Sequence, residues 1–303
     1  MTNIWRLNIK TAASESVDPR KFCINRDILG VGWPVDSEEE MTWDNYYKLG
    51  EEGYYNEGDK GWWPAVNAIK NRMQVNDLCW TRDWDGIYYL GRITSDWTYR
   101  GDLEYREADV VNIRECDWKK VGEIDSVPGK VVNSFIPSRT VQAVDDDSVR
   151  LYSQYLFNSL SEKHHYSLQP VSADLFSLIS SDDCEDIVGI FLQEEKGYRM
   201  IPSSCKVDTA AYEFVLKHID TEKTAVAQVK QGYVNLNVDD YSSLSSEVYL
   251  FTTHGEYTGG TSKNVHCLDT EEIRNFALSK KHIMSDRLRT WIKILNELGR
   301  ESA

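Results

Sequence analysis

A polar pair interrupts an apolar run in the last third of the chain. Residues 225–230 read Ala-Val-Ala-Gln-Val-Lys, so Gln228 and Lys230 stand two positions apart among small and branched apolar residues. Because side chains alternate between the two faces of a strand, this spacing predicts that Gln228 and Lys230 share one face. A lysine in a half-buried strand needs a chemical reason, and its ammonium could neutralise charge while a phosphodiester is attacked.

Carboxylates within reach of that pair would complete a metal site. Glu213 lies in the apolar run Tyr212-Glu-Phe-Val-Leu, which we expect to form the neighbouring strand of a hairpin. Glu185 and Asp186 stand side by side on a predicted helix, and the sequence does not separate them. Two carboxylates and nearby oxygen ligands are what a hard Mg²⁺ ion requires. An acid on the helix, an acid on one strand and Gln-x-Lys on the next are expected to converge on one cation.

Asp208 is a rival to Glu213 as the strand acid. It precedes Gln228 by 20 positions, whereas Glu213 precedes Gln228 by 15. The longer separation does not suit a tight hairpin, so Glu213 is the preferred residue.

The elements that must position these residues follow from periodicity and turn signals. A helix is expected to begin at residues 180–183, where Asp182 and Glu185 resemble a capping box, and to end near Gly197. Strands are expected at 198–202, 212–219, 225–230 and 247–252, and a closing helix around 287–298. These elements predict a mixed α/β region.

The ordered set resembles the PD-(D/E)xK nuclease superfamily, and especially the Mrr-like restriction endonucleases. Gln228-Val-Lys230 in its apolar strand is similar to the last motif of that family, and the resemblance covers roughly residues 170–300. It implies a restriction-endonuclease-like mixed sheet flanked by helices, with Mg²⁺ (or Mn²⁺) as cofactor. By the same match, the catalytic residues would be Glu185, Glu213, Gln228 and Lys230, and the metal ligands Glu213, Glu185 and Asp186. Glu213 stands where the family usually has aspartate, which is a departure.

The first half of the chain differs in composition from the second half. Nine of the ten tryptophans precede residue 120. Residues 77–81 and 87–93 predict a hairpin around the turn at 83–86, and further strands are expected at 109–114 and 130–135. Short strands at this spacing indicate a small barrel or a strongly curved sheet. A helix is expected over about 148–161, with a polar linker at 161–165.

Two segments of this half, Asn76-Asp-Leu-Cys-Trp80 and Tyr88-Tyr-Leu-Gly-Arg-Ile93, resemble the EVE and PUA-like family of small β-barrels. The resemblance covers about residues 1–145. Members of that family read modified bases, so it implies that this half holds an extruded base against aromatic rings. The base-binding candidates are Trp33, Trp80, Trp97, Tyr99 and Asp83, with Asp96 or Arg92 as alternatives for a polar wall. A tryptophan-rich core with no ligand is the alternative for each of them.

Composition sets further limits. The 303 residues carry a net charge of −15. Since DNA-binding surfaces are usually basic, we expect poor binding of nonspecific DNA. No apolar run approaches the ~20 residues of a membrane-spanning helix, and the first residues lack a signal-peptide core, so a cytoplasmic protein with no membrane partner is expected. Six widely spaced cysteines without a CxxC pair indicate reduced thiols rather than a zinc site.

These observations predict an α+β or α/β protein of two domains. Residues 1–148 would form the EVE/PUA-like reader, 149–167 a helix and linker, and 168–303 the nuclease. The expected function is that of a modification-dependent (type IV-like) restriction endonuclease, which hydrolyses phosphodiester bonds of modified DNA in antiphage defence. Cutting both strands of a duplex requires two active sites, so a homodimer, or nicking at paired sites, is expected, and an NTPase is a candidate partner. The alternatives are a non-catalytic nucleic-acid recognition subunit of a multi-protein defence system, or an RNA-cutting nuclease.

Overall fold

The structure, a computed structural model, describes residues 2–9, 13–15, 17–37, 41–168, 173–206 and 212–301. The chain divides into unit 1, Met1–Ser172 with Glu301–Ala303, and unit 2, Ala173–Arg300. The predicted division into 1–148, 149–167 and 168–303 differs from this one, because the segment after residue 148 packs with unit 1. Both units mix helices and strands, so the protein is a two-domain α+β protein.

Unit 1 is organised by a seven-stranded sheet. Its strands are β1 (Ile4–Leu7), β2 (Ile28–Val31), β3 (Leu78–Arg82), β4 (Tyr88–Ile93), β5 (Thr98–Tyr99), β6 (Asn112–Gly122) and β7 (Val141–Ala143). The strand order is β2-β6-β4-β3-β1-β7, with β5 paired to β6. The β1–β3 pair is parallel and the other pairs are antiparallel. The sheet curls into a half-barrel, in agreement with the predicted strongly curved sheet.

The predicted hairpin is formed by β3 and β4. Their pairing runs to Arg82 opposite Tyr88. In the turn between them, Asp83 Oδ1 accepts hydrogen bonds from the backbone N–H groups of Asp85 (3.0 Å) and Ile87 (2.9 Å). Gly86 has φ of +81°, a conformation that glycine adopts without the cost of a Cβ. Local chemistry therefore suffices to close this turn.

Helices cover part of the sheet of unit 1. They are α1 (Pro19–Asn25), α2 (Trp43–Gly50), α3 (Trp62–Asn67), α4 (Leu103–Glu107), α5 (Gly129–Ser134) and α6 (Asp147–Ser159). Two of them, α2 and α3, continue as π-helical turns at Glu51–Tyr55 and Ala68–Arg72. A 3₁₀ turn lies at Ile124–Ser126.

One predicted strand of unit 1 was wrong. Residues 130–135 were expected to be extended because valines favour strands, yet they lie in or directly after α5. Val131 and Phe135, four positions apart, are both buried. Residues at this spacing share one face of a helix, so packing overrides the local preference. The strand expected at 109–114 begins instead at Asn112 and continues to Gly122.

Unit 2 contains a five-stranded mixed sheet. Its helices are α7 (Leu175–Leu178), α8 (Ser181–Glu195), α9 (Thr270–Ser279) and α10 (Asp286–Glu301). Its strands are β8 (Tyr198–Met200), β9 (Phe214–His218), β10 (Thr224–Lys230), β11 (Leu236–Asn237), β12 (Glu247–Thr252), β13 (Tyr257–Thr258) and β14 (Val265–Cys267). The sheet order is β14-β12-β10-β9-β8, and β11 pairs separately with β13.

The central strand of this sheet is β10. It pairs antiparallel with β9, where Ala227 lies opposite Phe214, and parallel with β12, where Gln228 lies beside Leu250. A Cβ built on Gly189 of α8 would lie 3.5 Å from the Phe214 ring, so α8 covers the face that carries Phe214 and Ala227. Gln228 follows Ala227 in the strand and therefore projects from the opposite face.

Candidate active site

Three polar side chains meet where β9 begins and β10 ends. Glu213 precedes β9, and its N–H donates to the carbonyl of Ala227 at 2.8 Å, which extends the hairpin by one residue. Glu213 Oε1 accepts hydrogen bonds from Gln228 Nε2 at 2.7 Å and from Lys230 Nζ at 2.9 Å. The structure thus brings Glu213, Gln228 and Lys230 together on one face, and we call these residues the acid–amide–lysine cluster.

The cluster is buried at Gln228 and partly exposed to solvent at Lys230 and Glu213. Gln228 is 1% exposed, whereas the side chains of Lys230 and Glu213 are 39% and 24% exposed. Gln228 Oε1 is buried and has no hydrogen-bond partner in the described part of the chain. A buried carbonyl oxygen without a donor is destabilising by about 1–3 kcal/mol, so such an atom in a polar cluster indicates a missing donor or cation.

Glu185 approaches this cluster from α8, on the other side of the sheet. It lies one turn before Gly189, which faces Phe214. Partial burial, followed by the negative charge of Glu213, raises the pKa of Glu185 to about 7. Lys230 lowers the same pKa. Within the described ranges Glu185 makes no hydrogen bond or ion pair with the cluster, so the two carboxylates influence each other through space.

The neighbouring acid, Asp186, has different surroundings. It is exposed on α8. Desolvation against the protein surface and then the charge of Asp183 raise its pKa, while Arg287 lowers it. Glu213 and Lys230 are not among the groups that shift the pKa of Asp186. Electrostatic coupling to Glu213 makes Glu185 the preferred helix acid over Asp186.

The start of α8 explains why Glu185 is available. The expected capping box of Asp182 and Glu185 is not the one observed. Ser180 Oγ accepts from the Asp183 N–H at 3.2 Å, and Asp183 Oδ2 accepts from the Ser180 N–H at 2.9 Å. Asp183 is buried and also accepts from Arg287 Nε at 2.8 Å. Since Asp183 performs the capping, Glu185 keeps its carboxylate for other contacts.

Asp208, the rival strand acid, lies outside the described residues.

The donor atoms fit a hard cation. Glu185 and Glu213 offer carboxylate oxygens, and the unpartnered Gln228 Oε1 offers an amide oxygen. Oxygen donors select Mg²⁺ or Mn²⁺ over softer metals. No group of three or more His, Cys, Asp or Glu side chains arranged to hold a metal occurs among the described residues.

Two features beside the cluster have no signal in the sequence. Burial, then the charge of Asp240 and then that of Glu213 raise the pKa of Tyr241, so this phenol is electrostatically coupled to the cluster. The backbone N–H of Thr253 donates to the Lys230 carbonyl at 3.1 Å. Thr253 Oγ1 lies 2.9 Å from His254 Nδ1. These residues come together only through folding, because loops of irregular length separate them in the chain.

The His254 ring is also fixed at its other nitrogen. His254 Nε2 lies 2.9 Å from Asp174 Oδ2. Asp174 caps α7 and accepts from the Ser177 N–H and hydroxyl at 2.9 Å. Burial alone would raise the pKa of Asp174, but the hydrogen bonds from His254 and Ser177 lower it below its ordinary value. Asp174, His254 and Thr253 form a continuous polar chain that ends at the backbone of Lys230.

In unit 1, two of the base-binding candidates are core residues. Trp80 is fully buried, and its Nε1 donates to Ser153 Oγ at 3.0 Å. Asp83 is buried and closes the β3–β4 turn through its Oδ1, while Oδ2 accepts from Tyr89 OH at 3.3 Å. Neither has surface left for a ligand, so both predictions are corrected to structural roles.

The other three candidates are half-buried in an aromatic cluster around Tyr46. Trp33 Nε1 donates to Asp59 Oδ2 at 2.8 Å, and Trp97 Nε1 donates to Asn112 Oδ1 at 3.1 Å. The Tyr99 hydroxyl accepts from the N–H of Val35 at 2.9 Å and donates to its carbonyl at 2.8 Å. Their polar atoms are thus used internally, and any ligand contact would have to be made by ring surfaces.

Comparison with known proteins gives one match. Residues 5–143 match a family described as "Domain of unknown function (DUF8426)". The matched segment runs from within β1 to the end of β7, and so follows the sheet of unit 1. No curated protein and no solved structure matches the chain. In the described part of the chain, every helix falls short of the length and apolarity needed to cross a bilayer.

Proposed function

We propose that the protein is a metal-dependent endonuclease in which unit 2 hydrolyses a phosphodiester and unit 1 selects the nucleic acid. The observation that carries this proposal is the shared Glu213 Oε1, which accepts from Gln228 at 2.7 Å and from Lys230 at 2.9 Å. An acid, an amide and an ammonium with a common contact at a strand end suit charge stabilisation at a phosphate. The mixed sheet with helices supports a restriction-endonuclease-like fold for unit 2.

Each residue of the cluster has a distinct task in this proposal. Glu213 holds Lys230 Nζ, whose other protons can donate to a phosphate oxygen as negative charge develops there. Gln228 donates to the same carboxylate oxygen and so fixes the orientation of Glu213. Glu185, with a pKa of about 7, can hold or release a proton at neutral pH.

The residues that would hold Mg²⁺ or Mn²⁺ are Glu213, Glu185 and Gln228. When bound, such an ion supplies Lewis-acid stabilisation of the phosphodiester and a lowered pKa for a coordinated water. Binding of the cation would also give Gln228 Oε1 the partner that it lacks among the described residues.

The substrate we propose is DNA that carries modified bases, as for a type IV-like restriction endonuclease in antiphage defence. The ring surfaces of Trp33, Trp97 and Tyr99 in a PUA/EVE-like unit 1 would contact the modified base. Cutting both strands of a duplex needs two active sites, so a homodimer is part of the proposal. The protein would act in the cytoplasm, where phage DNA is exposed.

Substitution of the lysine tests the proposal. Lys230→Ala should lower the rate of cleavage of modified DNA by about 100-fold or more, since it removes a charge that acts at the transition state. Binding of the same DNA in EDTA should be unchanged. Lys217→Ala removes an exposed lysine from the adjacent strand β9 and should cut at the unsubstituted rate.

The assay should use plain, methylated and phage-modified DNA, and RNA, each with Mg²⁺ and with Mn²⁺. Undiminished cleavage by Lys230→Ala would refute the assignment. Binding of modified DNA without cleavage under any condition would favour the non-catalytic recognition subunit, and cleavage of RNA alone would favour the RNA-cutting enzyme.

A further inference from the structure

The π-helical turn Ala68–Arg72 is held rigidly on the surface of unit 1. The Met73 N–H donates to the Ala68 carbonyl at 2.9 Å, and π-helical turns are rare and often occur at functional sites. Arg114, which is buried, donates to the carbonyls of Ile69 and Lys70. A buried guanidinium thus fixes the backbone from which two cations, Lys70 and Arg72, project.

Lys70 lies against two indole rings. Its Nζ is 5.8 Å from the ring centroid of Trp43 and 5.5 Å from that of Trp97. The two rings meet edge to face, with centroids 5.3 Å apart and planes at 85°. Cation–π contacts hold the side chain in place but leave its charge uncancelled. In the described ranges no carboxylate forms an ion pair with Lys70.

Arg72 lies against a third indole ring, which belongs to the core, and it lines a cavity. Its guanidinium carbon is 5.1 Å from the centroid of the Trp5 ring. The cavity has a volume of about 440 Å³, and its charged lining residues are Arg72, Arg150 and Asp145. Arg150 Nε is buried without a hydrogen-bond partner, and its terminal nitrogens pair with acids. Arg72 has no acid partner among the described residues.

These two cations stand out against the charge of the whole chain. A protein of net charge −15 repels a polyanion in general, so contact with phosphates needs local cations that no acid neutralises. Lys70 and Arg72 meet this condition, and Lys70 lies against the half-buried rings of Trp43 and Trp97, which can stack on a base or sugar. Inorganic phosphate would use the charges alone, whereas a polynucleotide strand would use the charges and the rings.

We infer that the turn Ala68–Arg72 binds the phosphate backbone of a nucleic-acid strand through Lys70 and Arg72, with Trp43 and Trp97 as stacking surfaces. This inference rests on the proposed function for the identity of the partner. It adds the place on unit 1 where the strand is held.

The salt dependence of binding tests the inference. Fluorescence anisotropy of labelled single-stranded and duplex oligonucleotides would be measured in EDTA over a series of salt concentrations. Each phosphate contact contributes about 0.7 to the slope of log K against log salt for single strands and about 0.9 for duplex. Lys70→Met and Arg72→Met should each lower the slope by that amount, and the double variant by about twice as much.

Matched control variants distinguish binding at this turn from a general effect of removing a positive charge. Lys120→Met and Lys163→Met remove exposed lysines of the same unit that lie outside the turn and should leave the slope unchanged. Lys70→Arg keeps the charge and should restore most of the slope. Melting temperature and near-ultraviolet circular dichroism would show that the variants remain folded.

An unchanged slope in the double variant would overturn the inference, as would equal losses in the two control variants. Competition by a mononucleotide as strong as that by the oligonucleotide would also overturn it, since a strand would then not be required. If cleavage is absent with every metal but the slope still depends on Lys70 and Arg72, only the nuclease proposal fails. If DNA is cut and the slope is insensitive to both residues, only this inference fails.

Discussion

In the proposed cation site, the proton on Glu185 is expected to make cation binding depend on pH. Burial and then the charge of Glu213 raise the pKa of Glu185 to about 7. A carboxyl group with that pKa is about one-tenth ionised at pH 6 and about nine-tenths ionised at pH 8. A carboxylate must lose its proton before it binds a metal, so the apparent affinity for Mn²⁺ should rise about tenfold between pH 6 and pH 8.

Isothermal titration calorimetry with Mn²⁺ would measure this effect. Titrations at pH 6, 7 and 8 in two buffers of different ionisation enthalpy give both the affinity and the number of protons released. Release should fall from about 0.9 proton per bound ion at pH 6 to about 0.1 at pH 8, because less of the carboxyl is still protonated. Glu185→Gln cannot lose a proton, so it should bind more weakly and with little dependence on pH.

Asp186→Asn is the matched control, since it removes the adjacent carboxylate on the exposed side of α8. It should retain both the tenfold rise and the proton release. Affinity that does not change with pH in the unsubstituted protein would refute the reasoning. The reasoning would also be refuted if Asp186→Asn removed the dependence of affinity on pH and Glu185→Gln kept it, because Asp186 would then be the helix acid.

Two further predictions concern stability. Because the pKa of Asp174 is lowered in the folded state, its contribution is present above the unfolded pKa of about 3.9 and is lost as pH falls through the folded value. Asp174→Asn should therefore cost about 1 kcal/mol in urea unfolding at pH 7 and less at pH 3, and an equal cost at both pH values would contradict the role of the charge. Trp80→Ala should cost about 3–5 kcal/mol, since it removes a fully buried ring; an unchanged urea midpoint would show that Trp80 is not a core residue.

Local spacing was enough to anticipate the acid–amide–lysine cluster. Gln228 and Lys230 share a face because strand side chains alternate, and Glu213 reaches them because it lies across one hairpin. Strand β12 and helices α8 and α10 were also placed close to their observed bounds, since long periodic segments carry the strongest local signal.

The secondary structure of short segments and the roles of individual residues could not be predicted from local spacing. Residues 130–135 have the composition of a strand, yet α5 forms there because Val131 and Phe135 are buried on one helical face. In the same way, the sequence does not show whether an aromatic residue lies in a core or in a binding pocket, because both use the same residue types. Only the burial of Trp80 in the tertiary structure distinguishes it from Trp97.

Sequence by itself determined which side chains of the hairpin face one another, because that depends on a repeat of two residues and on one short turn. Tertiary structure set the electrostatic coupling of Glu185 to Glu213, and it assembled the chain Asp174–His254–Thr253 behind Lys230. The physical reason is that the rotation of α8 over the sheet and the meeting of distant loops are set by the packing of whole elements. That packing is a sum over many contacts and is not encoded in the spacing of any few residues.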